Sequence, residues 1–248
     1  GPGFKPLSET DLMLFFDSDK LDQIMQIGFL NYHQIGSTNG DSVPSHRAGV
    51  ESYLLGRGYE ISGYQSFVGE KVLKLYEQNR SSNNVSQSEM RAYKRLLEIN
   101  SPFNRFSPKY AYMVIRDLSL DIGNVVFRGQ YGDVGAVLKN SVKQRSTWTP
   151  ADSLSVNQED IYIFDNQKVD IKARETSSAR YYFEAQIWGD LSADDIAYWI
   201  LPSEPGIRKT EVYRRMRATG IPIKFFKLVS TSTNGHITVR PVIGSRSI

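Results

Sequence analysis

The chain has 248 residues, 40% of them hydrophobic, which is ordinary for one large globular domain or two small ones. Its formal net charge of +3 is mild, so nucleic acid is not an expected partner. The absence of cysteine excludes disulfides, cysteine-ligated metals and thiol nucleophiles. The three histidines lack metal-ligand spacing, and no apolar run approaches the roughly 20 residues that span a membrane, so neither a metal site nor a membrane span is expected.

The first hundred or so residues are predicted to be helical. Ser8 or Thr10 can cap a helix whose apolar residues follow helical spacing as far as Gly28. A capping-box pattern, Ser86 to Glu89, opens another helix, and Ser107-Pro108 supplies an N-cap and a first-turn proline for the last one. After the first helix, the predicted helices are 44–55, 64–78, 86–99 and 108–120.

The second half of the chain changes character, because short strand-like runs alternate there with turn residues. One helix, Arg208 to Thr219, interrupts them and stops at Gly220, and Asn234-Gly235 is a favoured hairpin turn. Helices followed by strands predict an α+β fold, with a helical region over residues 1–105 packing on a β-rich core over residues 106–248 in one integrated domain. The predicted strands are 124–128, 134–139, 145–149, 160–164, 168–172, 181–188, 196–201, 221–228 and 236–242.

Three of these strand-like stretches carry polar groups suited to one kind of chemistry. Arg128 presents a planar fork of donors that fits a phosphate, and the hydroxyls of Ser146 and Thr147 can both donate and accept hydrogen bonds. Glu184 lies inside an apolar stretch, where an ionised carboxylate costs several kcal/mol unless it is paired. Because strand residues alternate between faces, Glu184 and Gln186 are expected to line the same side.

Three motifs follow one another in the chain: Phe127-Arg128-Gly129, then Ser146-Thr147-Trp148-Thr149, then the strand around Glu184. Their order resembles that of the Arg-Ser-Glu class of mono-ADP-ribosyltransferases, which includes many bacterial toxins and secreted effectors. The resemblance covers roughly residues 60–190. It implies a helical N-terminal region beside a split antiparallel β core of ADP-ribosyltransferase type. It also implies transfer of ADP-ribose from NAD, as co-substrate, to a protein of a host or competitor, in the cytosol of a target cell into which the chain is delivered. Acceptors in the class include actin and small GTPases.

The resemblance also implies a role for each residue. Glu184 would be the catalytic carboxylate that stabilises the positive charge on the ribose as nicotinamide departs. Arg128, next to Gly129, would hold the pyrophosphate or the adjacent ribose. Ser146 and Thr147 would hold the Glu184 carboxylate in place and contact the nicotinamide ribose.

Further residues are implied around this centre. Tyr59 and Tyr64 lie in a Tyr-x-x-x-Gly-Tyr phrase similar to one that shapes the nicotinamide pocket in relatives. Gln186, Tyr182 and Arg180 would lie on the acceptor side, with Arg180 in a polar loop before the catalytic strand.

Two questions stay open at the level of sequence. Many members of the class carry Glu or Gln two positions before the catalytic Glu, whereas this chain has Tyr182; in an alternative alignment Glu184 takes that upstream position and Gln186 replaces the catalytic acid. The alternative functions are an NAD glycohydrolase on the same fold, and a catalytically silent module that binds a partner. Such a module could use the basic residues of 208–217, which are otherwise expected to be a solvated helix face.

Overall fold

A computed structural model of the chain describes residues 4–31, 108–115, 132–150, 162–163, 168–170, 183–233 and 236–246. These residues form a nine-stranded, mostly antiparallel sheet, a two-stranded sheet, two α-helices and short 3-10 turns. They therefore make a mixed α+β structure, as the sequence predicts. No helix among them is both long and apolar enough to cross a membrane.

The strands are β1 (Phe4–Pro6), β2 (Thr10–Phe16), β3 (Lys109–Ile115), β4 (Val134–Leu138), β5 (Ser146–Thr149), β6 (Tyr162–Ile163), β7 (Lys168–Asp170), β8 (Phe183–Ile187), β9 (Ile196–Pro202), β10 (Ile223–Thr233) and β11 (His236–Gly244). The helices are α1 (Leu21–Ile27) and α2 (Glu211–Ala218). The 3-10 turns lie at Leu7–Glu9, Ser18–Lys20, Asn140–Arg145, Ala193–Asp195 and Ile207–Lys209. The large sheet has the strand order β11-β10-β9-β4-β2-β3-β8-β5-β6, and β1 pairs with β7 in the small sheet.

The C-terminal part matches the sequence prediction element by element. Helix α2 connects β9 to β10, and these two strands are parallel, as a helical crossover allows. The Thr210 hydroxyl caps α2 by accepting a hydrogen bond from the Tyr213 backbone N–H at 3.3 Å, and Gly220 follows the helix with a φ of 77°. Strands β10 and β11 then form the predicted antiparallel hairpin.

The predicted helix near the N-terminus is wrong over residues 10–16, which form β2 near the middle of the large sheet. Leu12 and Met13 are both fully buried, one on each face of the sheet. A strand covered on both faces is a continuous apolar run, and such a run has no strand-like alternation to set it apart from a buried helix. The first α-helix of the described residues is α1, which is followed by Gly28 at its C-terminal end, as predicted. Residues 10–16 of the predicted helical region therefore belong to the large sheet.

The helix predicted after Ser107-Pro108 is also wrong where the structure describes it. Residues 109–115 form β3, which is paired with β2 on one side and β8 on the other. Long-range pairing on both edges of β3 outweighs the single N-cap signal on which the helix prediction depends. Strand β3 matters for the site because it places two tyrosines beside Glu184.

The two faces of the large sheet differ in what covers them. One face carries the larger core, which takes in residues of both helices and of β2, β3, β4, β8 and β9. The other carries a smaller apolar cluster on the β9, β4 and β2 side, formed by Met13, Val114, Val137, Ile200 and Phe226. The strands β3, β8 and β5 continue this second face, and there the side chains become polar.

Gly28 joins α1 to the segment that follows β8. The Gly28 backbone N–H donates to the Ile24 carbonyl oxygen at 2.9 Å, and the next residue, Phe29, forms a bridge with Leu191. Gly28 has φ 81° and ψ −169°, a conformation essentially confined to glycine. A Cβ at this position would lie 2.2 Å from the Leu191 carbonyl oxygen. This close approach fixes the loop after β8 against the helix.

Several predictions lie outside the described residues. These are the helices at 44–55, 64–78 and 86–99, the strand at 124–128 and the turn residues Asn234-Gly235.

Candidate functional site

The stretches that carry Ser146-Thr147 and Glu184 are neighbouring strands. Strands β5 and β8 pair antiparallel, with Thr147 opposite Gln186 and Thr149 opposite Glu184. Directly opposed side chains lie on the same face with their Cβ atoms about 4.5–5.5 Å apart. Register alone therefore brings two hydroxyls, one amide and one carboxylate together, and it places Glu184 and Gln186 on one side as predicted.

Hydrogen bonds join these four side chains and Trp188 into one network. The Trp188 indole N–H donates to Thr147 Oγ1 at 3.1 Å, and the Thr147 hydroxyl donates to Gln186 Oε1 at 2.8 Å. The Gln186 amide then donates to Glu184 Oε1 at 2.9 Å and to Thr149 Oγ1 at 3.1 Å. Both amide hydrogens of Gln186 are thus used, one of them on the carboxylate.

The network is almost wholly withdrawn from solvent. Glu184 is 4% exposed, and Thr147, Thr149, Gln186 and Trp188 are 0% exposed. In such surroundings a charge interacts more strongly with fixed donors than it does in water. A carboxylate held in this way is suited to stabilising positive charge that develops beside it, because its donors need not reorganise.

Ser146 does not take part in this network, contrary to the predicted contact with Glu184. It lies on the opposite face of β5 from Thr147, and its hydroxyl donates to the Val142 carbonyl oxygen at 2.7 Å. The reason is strand alternation, since two consecutive residues cannot both face the same side. Thr149, which is two residues beyond Thr147, occupies the place beside Glu184 that was expected for Ser146.

The loop after β8 is fixed by Arg145. The Arg145 guanidinium donates to the Trp188 carbonyl oxygen at 2.5 Å and pairs with Asp195 at 3.1 Å, while the Trp188 backbone N–H donates to the Arg145 carbonyl oxygen at 3.1 Å. Asp195 also accepts from the Ser192 backbone N–H at 2.9 Å as part of a capping box. Trp188 is thereby held at both its backbone groups.

Two tyrosines of β3 border the network on the other side. Tyr112 lies opposite Glu184 and Tyr110 lies opposite Gln186, so each completes a row that crosses β3, β8 and β5. Both are partly exposed, unlike the buried polar groups beside them. The Tyr112 ring also meets Phe15 at a centroid distance of 6.1 Å. A half-buried aromatic beside a buried carboxylate could bind a planar ring of a ligand.

Sequence reasoning did not identify Thr149, Tyr110, Tyr112 or Trp188 as site residues. The tyrosines alternate with apolar residues in β3, a period of two that would have indicated a half-buried strand. Thr149 follows from counting two residues along the strand from Thr147. The pairing of β3 with β8 has no signal in a single sequence, because register is a property of strands far apart in the chain.

The other predicted site residues lie outside the described ranges. These are Arg128, Gly129, Tyr59, Tyr64, Arg180 and Tyr182. The structure therefore describes the Ser-Thr and Glu elements of the predicted trio.

The basic residues of 208–217 differ in their contacts and in their exposure to solvent. Arg208 lies over the Phe225 ring at 4.9 Å and donates to the Tyr213 hydroxyl at 3.2 Å, and Arg215 pairs with Asp22 of α1 at 3.1 Å. Lys209 and Arg217 are exposed, as expected for a solvated helix face. Two members of the cluster thus contact the rest of the fold.

Within the described ranges, no group of three or more His, Cys, Asp or Glu side chains is placed to hold a metal ion. In comparisons with known proteins, the chain matches no protein-family model and no curated protein at a significant level.

Proposed function

We propose that this chain is a mono-ADP-ribosyltransferase that uses NAD, with Glu184 as its catalytic carboxylate. The observation that supports this most directly is the pairing of β5 with β8, which sets a buried carboxylate among donors beside partly exposed aromatics. The order of the three motifs also supports the proposal. It includes Arg128, on a separate predicted strand, as the residue proposed to bind the phosphates of NAD.

In the proposed reaction the bond between nicotinamide and ribose breaks, and its electron pair leaves with nicotinamide. Glu184 stabilises the oxocarbenium-like ribose, and Thr147, Thr149 and Gln186 hold the carboxylate in one position. A nucleophile of the acceptor then bonds to the same carbon and loses its proton. Arg128 and Gly129 are proposed to hold the pyrophosphate, and Tyr59 and Tyr64 to shape the nicotinamide pocket.

The proposed acceptor is a protein of a target cell that the chain enters as a toxin or effector. Actin and small GTPases are the first candidates from the class as a whole. Arg180 and Tyr182 are proposed to lie on the acceptor side. Gln186 is better suited to positioning Glu184 than to binding an acceptor, because both its amide hydrogens are engaged within the network.

The same engagement of Gln186 favours a second candidate, an NAD glycohydrolase in which water replaces the protein acceptor. One experiment separates the two functions: the purified chain is incubated with labelled NAD and a eukaryotic cell lysate, and both released nicotinamide and labelled protein bands are measured. Transfer predicts nicotinamide release together with a labelled band. Hydrolysis predicts release without a band, and silence in both readouts in several lysates would contradict both proposals.

Changing Tyr112 is expected to weaken NAD binding more than it slows cleavage. We expect Tyr112→Ala to raise the KM for NAD about tenfold, because stacking on an aromatic ring contributes about 1–3 kcal/mol per base. Tyr112→Phe should stay close to the unmodified chain, since it keeps the ring. The measurement is nicotinamide release at varied NAD concentration.

The matched control for Tyr112 is Tyr198→Ala. Tyr198 is a partly buried tyrosine of β9 on the same sheet face, separated from β3 by β4 and β2. An equal rise in KM in both variants would show that Tyr112 has no specific contact with NAD.

Gln186→Glu discriminates between the two alignments of the catalytic acid. If Glu184 is the acid, the substitution replaces a donor by a second carboxylate in a buried setting, and we expect nicotinamide release to fall roughly 10- to 100-fold. If Gln186 occupies the position of the acid, the same substitution supplies the missing charge and release should rise. Circular dichroism and a urea titration of each variant would show whether the fold is retained.

A further inference from the structure

We propose that Trp188 is a positioning residue for Glu184, acting through Thr147 and Gln186 as a directed hydrogen-bond relay. The relay is a property of the described network, and its effect on catalysis rests on the proposed function. Trp188 follows β8 and would touch neither NAD nor the acceptor in this role.

The direction of the relay follows from the chemistry of its first member. An indole N–H can only donate, so Thr147 Oγ1 must accept from Trp188. The single proton of the Thr147 hydroxyl is then given to Gln186, and only the amide oxygen of Gln186 can accept it. The amide nitrogen is left facing Glu184. The orientation of a glutamine amide is settled by its hydrogen-bond network, and here Thr147 at one end and Glu184 at the other settle it, with Trp188 holding the Thr147 hydroxyl.

The opposite orientation of the Gln186 amide is disfavoured at both of its ends. Its oxygen would face the carboxylate of Glu184, so two acceptors would meet where a donor and an acceptor meet now, 2.9 Å apart. At the other end the Thr147 oxygen would have to accept from both Trp188 and Gln186, and the Thr147 proton would lose its present acceptor. Trp188 therefore stabilises the arrangement in which Glu184 receives a hydrogen bond.

Trp188 is held firmly enough for this task. Its side chain is 0% exposed, its backbone N–H and carbonyl oxygen both bond to Arg145, and Arg145 is paired in turn with Asp195. These bonds fix the start of the loop that follows β8. The indole thus has little freedom to turn away from Thr147.

A matched control is present on the neighbouring strand. Trp148 of β5 is also buried, at 2% exposed, but its side chain lies on the opposite face and belongs to the larger core. Its indole nitrogen has no hydrogen-bond partner in the part of the chain that the structure describes. Replacing this indole by a phenyl ring removes comparable volume and a similar N–H group without touching the relay.

The test begins with the indole N–H signals of the whole chain labelled with ¹⁵N, which contains three tryptophans. The third, Trp199, donates to Thr219 at 2.9 Å and is an internal reference. The three signals are assigned from the Trp→Phe variants. Thr147→Val removes the acceptor and should move the Trp188 signal upfield by more than its linewidth, whereas Thr147→Ser should leave it close to its original position. Glu184→Gln should also move the Trp188 signal, because hydrogen bonds in a chain polarise one another.

The second readout is the kinetics of nicotinamide release. We expect Trp188→Phe and Thr147→Val to lower kcat roughly 10- to 100-fold with little change in the KM for NAD, because each loosens the Gln186 amide that donates to the charged carboxylate of Glu184. Thr147→Ser should restore most of kcat, and Trp148→Phe should leave it unchanged. The pair at Thr147 keeps the test valid if Trp188→Phe does not fold.

The two readouts separate failure of the relay from failure of the proposed function. If Thr147→Val and Glu184→Gln both move the Trp188 indole signal but no NAD is cleaved, the result supports the relay and counts against the transferase. Two results would overturn the relay even if NAD is cleaved. One is an equal kcat for Thr147→Val and Thr147→Ser, and the other is a Trp188 signal that does not move in Thr147→Val.

Discussion

Replacing Glu184 by glutamine is expected to lower the rate of NAD cleavage about 100- to 1000-fold, because a neutral amide cannot stabilise the positive ribose in the transition state. The substitution changes the shape of the side chain very little. Gln186 still has an oxygen to which it can donate, so the buried network can close around the new residue. The measurement is nicotinamide release under saturating NAD, with label transfer to lysate proteins followed in parallel.

The control for Glu184→Gln is the same change at Glu204, an exposed carboxylate in the segment between β9 and α2. It should leave the rate unchanged. Thermal unfolding of both variants should show that neither has lost its fold. A Glu184→Gln protein as active as the unmodified chain would remove Glu184 from the chemistry, and with it the favoured alignment.

A large effect on stability is expected at Gly28. Gly28→Ala should lower the free energy of unfolding by about 3 kcal/mol or more, since strain and overpacking each cost about 1–3 kcal/mol. Strain arises because the φ of 81° and ψ of −169° suit only glycine. Overpacking arises because the new Cβ would lie 2.2 Å from the Leu191 carbonyl oxygen. A urea titration measures the loss.

Gly206→Ala is the control for a positive φ without a close contact. Gly206 also has a positive φ, 78°, but a Cβ there would meet nothing within 4 Å. We expect it to cost about 1 kcal/mol from the left-handed backbone alone. Equal losses at both positions would mean that the contact between Gly28 and Leu191 does not hold the loop after β8 in place.

The accuracy of the sequence predictions depends on how local each signal is. The stop at Gly220 and the turn residues between the C-terminal runs are local signals, and the helix predicted over 208–219 is found at Glu211–Ala218. The strand predicted over 221–228 is also present, but it runs to Thr233, five residues past its predicted end. Strand β2 was predicted as a helix because its apolar run is buried on both faces and shows no alternation. Strand β3 was predicted as a helix because it follows a capping signal. Only pairing with distant strands shows them to be strands, and a single sequence does not contain that pairing.

The candidate site shows the same division. The shared face of Glu184 and Gln186 follows from the strand period and was predicted. Thr149, and not Ser146, lies beside Glu184 because Thr147 and Thr149 share its face of the sheet. The Ser-Thr motif alone does not show which of two consecutive residues lies on that face. Tyr112 was missed because it belongs to β3, which is far from β8 in the sequence. Trp188 was missed because it lies just after β8, in a loop whose position is fixed by hydrogen bonds with Arg145.

The position of β2 in the sheet has a consequence for the order of folding. This strand precedes both of its neighbours in the chain, which are formed by residues 109–115 and 134–138. Until those are made, an apolar strand has both edges open, the condition in which nascent chains aggregate or need chaperones. Strand β8 joins the sheet beside β3, so a nascent chain that stops before Ile187 lacks part of the strand that carries Glu184. The buried carboxylate therefore becomes usable only after residue 187 has been made, whereas the β10–β11 hairpin can close from local contacts alone.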